Sequence, residues 1–279
     1  MRNFDVKIVS EEIEKLCMNA NFYIPKDVMN SLVDSLEKEE SPVAKDILSQ
    51  IIENDKLAQE NLVPMCQDTG LTVVFLEIGR DVHLNGDIYE AINTGVKNGY
   101  EKGYLRKSIV QDPFNRVNTK DNTPAIIHTK IVDGDKIKIV VAPKGGGSEN
   151  MSTVKMMKPS DGVEGVKKFV LDFIDNAGGN PCPPIVVGIG IGGNLEKSAL
   201  LAKEALLREI NDINPIEFYK DLEEELLEKI NKLGIGPMGL GGRTTCLSVK
   251  IKAHPCHIAQ LPVAININCH AARHKEVIL

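Results

Sequence analysis

The sequence has no tryptophan, few aromatic residues (4%) and no C-x-x-C pair among its six cysteines. It also has no apolar run near the ~20 residues that a membrane-spanning helix needs. That last absence argues against a helical membrane protein. The missing C-x-x-C excludes the usual zinc-ribbon, redox-pair and ferredoxin patterns. Basic residues are in deficit: 33 Lys and Arg stand against 39 Asp and Glu, a net charge of −6. A broad nucleic-acid or anionic-membrane surface is therefore not expected, although a local basic pocket for an acid remains open. The first residues, MRNFDVKIVSEEIEKL, contain acids and no apolar h-region, so they do not read as a secretory signal. The expected setting is the reducing cytoplasm, with the six cysteines as thiols.

What the sequence does contain is an ordinary soluble composition over 279 residues, 42% hydrophobic and 26% charged. This excludes a mainly disordered chain. A chain of this size buries about three-quarters of its unfolded surface and needs no disulfide staples. With no repeat, low-complexity tract or long linker, a single unit over residues 1–279 is expected, helical over about 1–60 and mixed over about 61–279. The fold class is α/β, with mixed strands and helices after a helical N-terminal segment.

Local signals place the elements. Ser10 reads as the cap of a helix carrying Ile13, Leu16 and Ala20, and Ser41-Pro42 as the start of a second. Leu71 to Ile78 is a β-branched and aromatic run, which predicts a buried strand. Pro124 to Val132 and Lys136 to Val141 read as a hairpin joined through Asp133-Gly134-Asp135. A strand at Pro184 to Val187 precedes a helix over Leu195–Ile210. Asn214, Pro215 and Glu217 mark the start of another helix, with Leu222, Leu226, Ile230 and Leu233 as its buried stripe and Gly234 as its stop. Cys246 to Ile251 and Leu261 to Asn268 close the chain as strands.

Glycine concentrates at Gly145-Gly146-Gly147, at Gly188–Asn194 and at Gly234–Gly242. Such clusters suit either tight turns or close approach of the backbone to an anion. Gly188, Gly190 and Gly193 fit G-x-G-x-x-G, but a dinucleotide site also needs a second strand ending in an acid ~20 residues on, and a helix follows instead. Cys66, Cys182 and Cys269 each sit in a polar or prolyl turn at the edge of a predicted strand, placed for access. Cys17 reads as core, and Cys246 similarly. His254-Pro255-Cys256-His257 groups three potential ligands, yet lacks the partner pair of a zinc site. His257 also suits proton transfer near neutral pH. For Asp68 a turn cap, and for Arg106 a solvated charge, are the plain alternatives.

Seven segments then occur in order: PMCQDTG (64–70), YLRKSIVQDP (104–113), NTPAIIH (122–128), PKGGGSEN (143–150), NPCPP (180–184), GIGGN (190–194) and INCHAARH (267–274). Together they resemble the α subunit, or N-terminal half, of the iron–sulfur class I fumarases and the related L-tartrate dehydratases. The resemblance runs from Leu48 onward. It implies an oxygen-sensitive [4Fe–4S] cluster on Cys66, Cys182 and Cys269, with one iron open to substrate and no ligand role for Cys17, Cys246 or Cys256. It implies substrate contacts from Gln67, Asp68, Arg106 and the Gly145, Gly146 and Gly147 amides. Asp68 and His257 (or His254, nearby in sequence) would carry the proton on the leaving hydroxyl. The implied activity is hydro-lyase chemistry between fumarate and L-malate, with L-tartrate dehydration as the alternative. An iron–sulfur or metal-binding protein without catalysis is the reading from another class. Single-chain relatives carry a second domain with the base at carbon, so a separate β subunit is expected here, in a homo-oligomer or heterotetramer that takes a small dicarboxylate.

Overall fold

A computed structural model of the chain describes residues 1–279. Strand β1 (Arg2–Asp5) leads into helix α1 (Lys7–Phe22). Ser10 is not the cap. Asp5 Oδ1 accepts the Lys7 N–H at 3.0 Å, so the helix begins earlier and Ser10 lies in its first turn. Helices α2 (Lys26–Lys38) and α3 (Pro42–Asn61) follow. The cap expected at Ser41 is made, with its Oγ accepting the Ala44 N–H at 3.4 Å. Next come β2 (Leu71–Gly79), β3 (Val82–Asn85) and α4 (Ile88–Lys102), the last capped by the Asp87 carboxylate. The middle of the chain forms β4 (Ile126–Val132), β5 (Ile137–Lys144), the one-turn α5 (Gly146–Asn150), β6 (Thr153–Met157) and α6 (Gly162–Ala177). It ends with β7 (Ile185–Gly192), α7 (Leu195–Ala205), α8 (Glu217–Asn231), β8 (Cys246–His254), β9 (Leu261–Asn268) and β10 (Lys275–Ile278). The mixed α/β class holds. No helix is long and apolar enough to cross a membrane.

The packing groups these elements into two compact units, each built from separated stretches of chain. The first comprises residues 1–24, 54–146 and 273–279, and the second residues 25–53 and 147–272. Because each unit is discontinuous in sequence, and one crossing point falls inside α3, no linker or shift of composition marks the division.

In the first unit the strand order is β10-β5-β2-β4. β2 pairs antiparallel with β5 and parallel with β4, so the expected hairpin does not form: β2 lies between its two arms. The turn wraps the end of β2 instead. The N–H groups of Gly79, Arg80 and Asp81 donate to the carbonyls of Lys136, Val132 and Gly134 at 2.8–3.0 Å. The near-continuous apolar run of β2 suits this central place, buried on both faces. Val74 and Leu76 pack with Ile13 and Cys17 of α1, Ile92, Val96 and Tyr100 of α4, and Ile137 and Ile139 of β5.

The second unit has the order β6-β9-β7-β8, with β7 parallel to β8 and antiparallel to β9. Its glycine-rich strand β7 is a packing surface. A Cβ at Gly188 would lie 2.2 Å from the Ala202 carbonyl oxygen, and one at Gly190 would lie 2.0 Å from that of Ser198, so α7 rests directly on the strand backbone. α7 stops at Ala205, short of the expected Ile210. The chain is drawn away there: Arg208 pairs with Glu223 at 2.5 Å and Asp212 at 2.8 Å, and the Ile210 N–H donates to Asp27 at 2.7 Å. α8 begins at Glu217 and buries Leu222, Leu226 and Ile230, and Leu233 beyond its end stays half-buried against the same core. The Asn214 side chain accepts the Ile216 N–H at 3.1 Å, just ahead of the first turn.

Replacing Gly190 by Ala forces backbone against backbone, which neither element can relieve by a side-chain movement. We expect Gly190→Ala to destabilise the protein by about 3 kcal/mol, the upper part of the range for overpacking. Urea unfolding should show a lower midpoint with an unchanged slope.

Candidate functional site

Cys66, Gln67 and Asp68 lie on the segment between α3 and β2, in the first unit. This segment is held along its whole length. Asn54 Nδ2 donates to the Met65 carbonyl at 2.8 Å. Asp68 accepts the Gly70 N–H on Oδ1 at 3.0 Å and the Gly146 N–H on Oδ2 at 2.7 Å. Its own carbonyl accepts from Arg273 Nη2 at 2.8 Å. The Thr69 hydroxyl donates to the Arg106 carbonyl at 2.9 Å, which brings Arg106 beside the segment with its side chain exposed. Tyr100 Oη donates towards the Thr69 and Gly70 carbonyls at 2.7 and 3.0 Å, and burial pushes that hydroxyl up, so it remains a neutral donor. Gly70 has φ +72° and its Cβ position would lie 2.6 Å from the Lys144 backbone, so only glycine fits there. Asp68 and Cys66 are half-buried and Gln67 is exposed.

The glycine triplet behaves differently at each position. Gly145 lies against the Asp68 carboxylate, with its Cβ position 3.2 Å from Oδ2. The Gly146 amide, expected to face a substrate carboxylate, is already engaged by Asp68. A Cβ at Gly147 would meet nothing within 4 Å. The first unit thus brings together Cys66, Gln67, Asp68, Arg106, Gly145 and Gly146.

Cys182 and Cys269 belong to the second unit, where they are neighbours. Cys269 follows the last residue of β9, and the next N–H, that of His270, donates to the Cys182 carbonyl at 3.2 Å. Cys182 itself has φ 56°, a left-handed conformation rare for a residue with a Cβ. Its turn is fixed on both sides: the Cys182 N–H donates to the Gly179 carbonyl at 3.0 Å, and the Met238 N–H to the Pro183 carbonyl at 2.7 Å. The third glycine cluster therefore serves as a brace for the Cys182 turn. Within either unit, no three His, Cys, Asp or Glu side chains group closely enough to hold a metal ion by themselves.

The two histidines of the exposed 254–260 loop differ in chemistry. His257 Nδ1 accepts the Ala259 N–H at 3.1 Å, so the neutral ring carries its proton on Nε2. His254 Nδ1 lies 2.8 Å from the Pro255 carbonyl, which can only accept, so its proton is on Nδ1 and its Nε2 is a bare acceptor. His257 is poised to donate and His254 to accept.

The six thiols divide by environment. Cys17 and Cys246 are buried, and burial pushes both thiols up to about 12. Cys66, Cys182 and Cys269 are half-exposed, and Cys256 is exposed. The soft sulfur donors that an iron–sulfur cluster needs are thus available at the three expected positions and absent at Cys17 and Cys246. A groove of about 290 Å³ in the second unit, lined by Val163, Val166, Ile191, Phe218 and Leu222, contains none of the expected site residues and offers little polar chemistry.

Sequence reading missed Asn54, Tyr100, Asn122 and Arg273. Asn122 has φ 61°, donates to the Gly70 carbonyl at 3.2 Å and accepts the Ser108 N–H at 2.7 Å. Its signal was available, since asparagine is the residue other than glycine that best tolerates the left-handed region. A brief alkylation of the native protein at pH 8 should label Cys66, Cys182, Cys256 and Cys269 and spare Cys17 and Cys246. Peptide mass spectrometry reads this out, and labelling of Cys17 at a comparable rate would contradict the division.

The profile of the family described as fumarate hydratase (Fumerase) matches residues 10–278. A Methanocaldococcus jannaschii protein provisionally named L(+)-tartrate dehydratase subunit alpha is 48% identical over 272 residues, covering 95% of each chain. The L(+)-tartrate dehydratase subunit alpha of Escherichia coli K12 is 35% identical over 254 residues, 90% of this chain and 84% of its own. The protein of the same description from Shigella boydii matches to the same extent. The match spans both units and every cysteine, and the chain belongs to the fumarate hydratase (Fumerase) family.

Proposed function

We propose that this chain is the α subunit of an iron–sulfur hydro-lyase that adds or removes water at a four-carbon dicarboxylate, interconverting fumarate and L-malate. The observation that carries the reading is the division of the thiols: Cys66, Cys182 and Cys269, the ligands that the sequence resemblance implies, are half-exposed on braced turns, Cys17 and Cys246 are buried and protonated, and Cys256 is exposed outside the implied set. A [4Fe–4S] cluster held by Cys66, Cys182 and Cys269 would supply a Lewis acid for the substrate hydroxyl and one carboxylate. A second reading, L-tartrate as substrate, is favoured by the names of the relatives. The word alpha in those names also favours a separate β subunit.

The chain's own residues have distinct parts in this chemistry. Arg106 offers two parallel N–H bonds to a substrate carboxylate, a fork that lysine would not reproduce. Gln67, next to a ligand cysteine and exposed, provides a neutral donor and acceptor for the substrate's polar groups. The Gly147 amide and the space around it leave room for the substrate close to the backbone. Hydroxide is a poor leaving group, so its departure requires a proton. His257 supplies one from its imidazolium form and is left as the neutral ring, and Asp68 serves in the same relay. The two backbone amides on Asp68 orient its carboxylate for that task. Removal of the proton from carbon falls to the β subunit.

Two experiments test the reading. Anaerobic reconstitution with iron and sulfide should give a brown cluster that Cys66→Ser, Cys182→Ser and Cys269→Ser each abolish and Cys17→Ser retains. The reconstituted chain with its β subunit should then hydrate fumarate, or dehydrate L-tartrate if the second reading holds, and exposure to air should remove the activity. His257→Asn should lower kcat by about 10²-fold or more, the usual scale for a lost general acid. A loaded pair inactive on both substrates would leave a non-catalytic iron–sulfur protein, and full zinc occupancy after anaerobic purification would end the cluster reading.

A further inference from the structure

Helix α5 cannot hold itself in place. It is one turn of five residues, Gly146–Asn150, entered through consecutive glycines, the residues with the most backbone freedom to lose. So short a helix closes too few backbone bonds to be stable alone. Side chains of the second unit fix it instead. Glu149 accepts the Lys203 ammonium on both carboxylate oxygens, at 2.7 and 2.9 Å, and the Asn266 amide on Oε2 at 3.0 Å. Asn266 Nδ2 also donates to the Ser152 hydroxyl at 3.0 Å, and that hydroxyl donates back to the Ser148 carbonyl at 3.3 Å. Asn266 and Ser148 are buried, and the Lys203 side chain is mostly so. The close approach of α7 to β7 makes this reach possible. Gly188 stands opposite Asn266 in the ladder, and its missing Cβ leaves room for the carbonyl of Ala202, the residue before Lys203. Thus α7 supplies one grip on Glu149 and β9, the strand that runs on to Cys269, supplies the other. Neither Lys203 nor Asn266 has any part in the chemistry proposed above.

We propose that Lys203 and Asn266 are positioning residues: through Glu149 they fix the turn that carries the Gly147 amide, and so hold that amide ready for a substrate carboxylate. Their bonds are of the strong, charge-assisted kind, and they reach one carboxylate from two separate elements. A main-chain donor on a glycine-rich turn is useful for binding only if something outside the turn keeps it still. Weakening the Lys203 grip loosens the turn and with it the hold on substrate. The cysteine turns at Cys182 and Cys269 have their own braces and stay in place. The proposal rests on the functional reading only in taking the Gly147 amide as a substrate contact.

Hydrogen exchange on the full-length chain and kinetics of the cluster-loaded chain with its β subunit test this together. In Lys203→Met, peptides spanning residues 146–152 should exchange about tenfold faster, while β7 at Val186–Ile189 keeps its protection. The same variant should raise KM about tenfold and leave kcat within about twofold, because what is lost is substrate binding. Lys203→Arg, which keeps the charge and the reach, should restore both. Should Lys203→Met fail to fold, Ser152→Ala serves in its place, because it removes only the hydroxyl that joins Asn266 to Ser148. Equal acceleration in β7 would show general loosening and overturn the proposal, as would unchanged exchange at 146–152 or a loss confined to kcat. Local acceleration in a loaded pair that turns over neither fumarate nor L-tartrate would support the hold on α5 and end the functional reading. An active pair whose KM is unchanged by Lys203→Met would do the reverse.

Discussion

Both carboxylate oxygens of Asp68 accept backbone amides, from Gly70 and Gly146, and the arrangement of the first unit's site follows from that pair of bonds. One bond closes the turn into the central strand β2. The other ties that turn to the residue just beyond β5, 78 positions away in sequence. The clasp needs Gly70 to pass against the Lys144 backbone with no side chain, and Arg273 donates to the Asp68 carbonyl beside it. Tyr100 and Asn122 donate to the Thr69 and Gly70 carbonyls of the same turn.

The second unit solves a different problem by removing side chains. β7 lies between β8 and β9 and also carries α7 directly on its backbone. Glycine at 188 and 190 makes that approach possible. The same absence of side chains that makes GIGIGGN look like a nucleotide loop is used to bring a helix down onto a sheet. The strand leads from the braced Cys182 turn, and its antiparallel partner β9 delivers Cys269 to the same end, because Val186 stands opposite Asn268. Strand register is thus what makes these two cysteines neighbours.

Chemistry in this chain depends on which groups remain accessible. Cys17 and Cys246 are as reactive in principle as the other thiols, and burial alone removes them. The histidines of the 254–260 loop show a finer version of the same effect. A single backbone contact at each ring fixes which nitrogen holds the proton, and so distinguishes a donor from an acceptor three residues apart.

Much of this was legible in residue order. The buried strand β2, the Ser41-Pro42 helix start, the bounds of β9 and the division of the cysteines all rest on local chemistry, which neighbouring residues largely decide. The failures came where distant residues intervened. The Asp133–Asp135 turn looked like a hairpin because nothing local shows that β2 enters between its arms. α7 ended early because Arg208 and Ile210 are drawn to Glu223, Asp212 and Asp27. Asn54 and Tyr100 carried no motif of their own, and Arg273, although inside INCHAARH, gave no sign of its contact, which spans 205 residues. By itself the sequence determined the family, the α/β class and the candidate ligands, because these depend on residue type and local pattern. The tertiary structure decided the strand order, the engagement of Gly146 by Asp68 and the grip of Arg273, because burial and hydrogen bonding join groups that the chain keeps far apart.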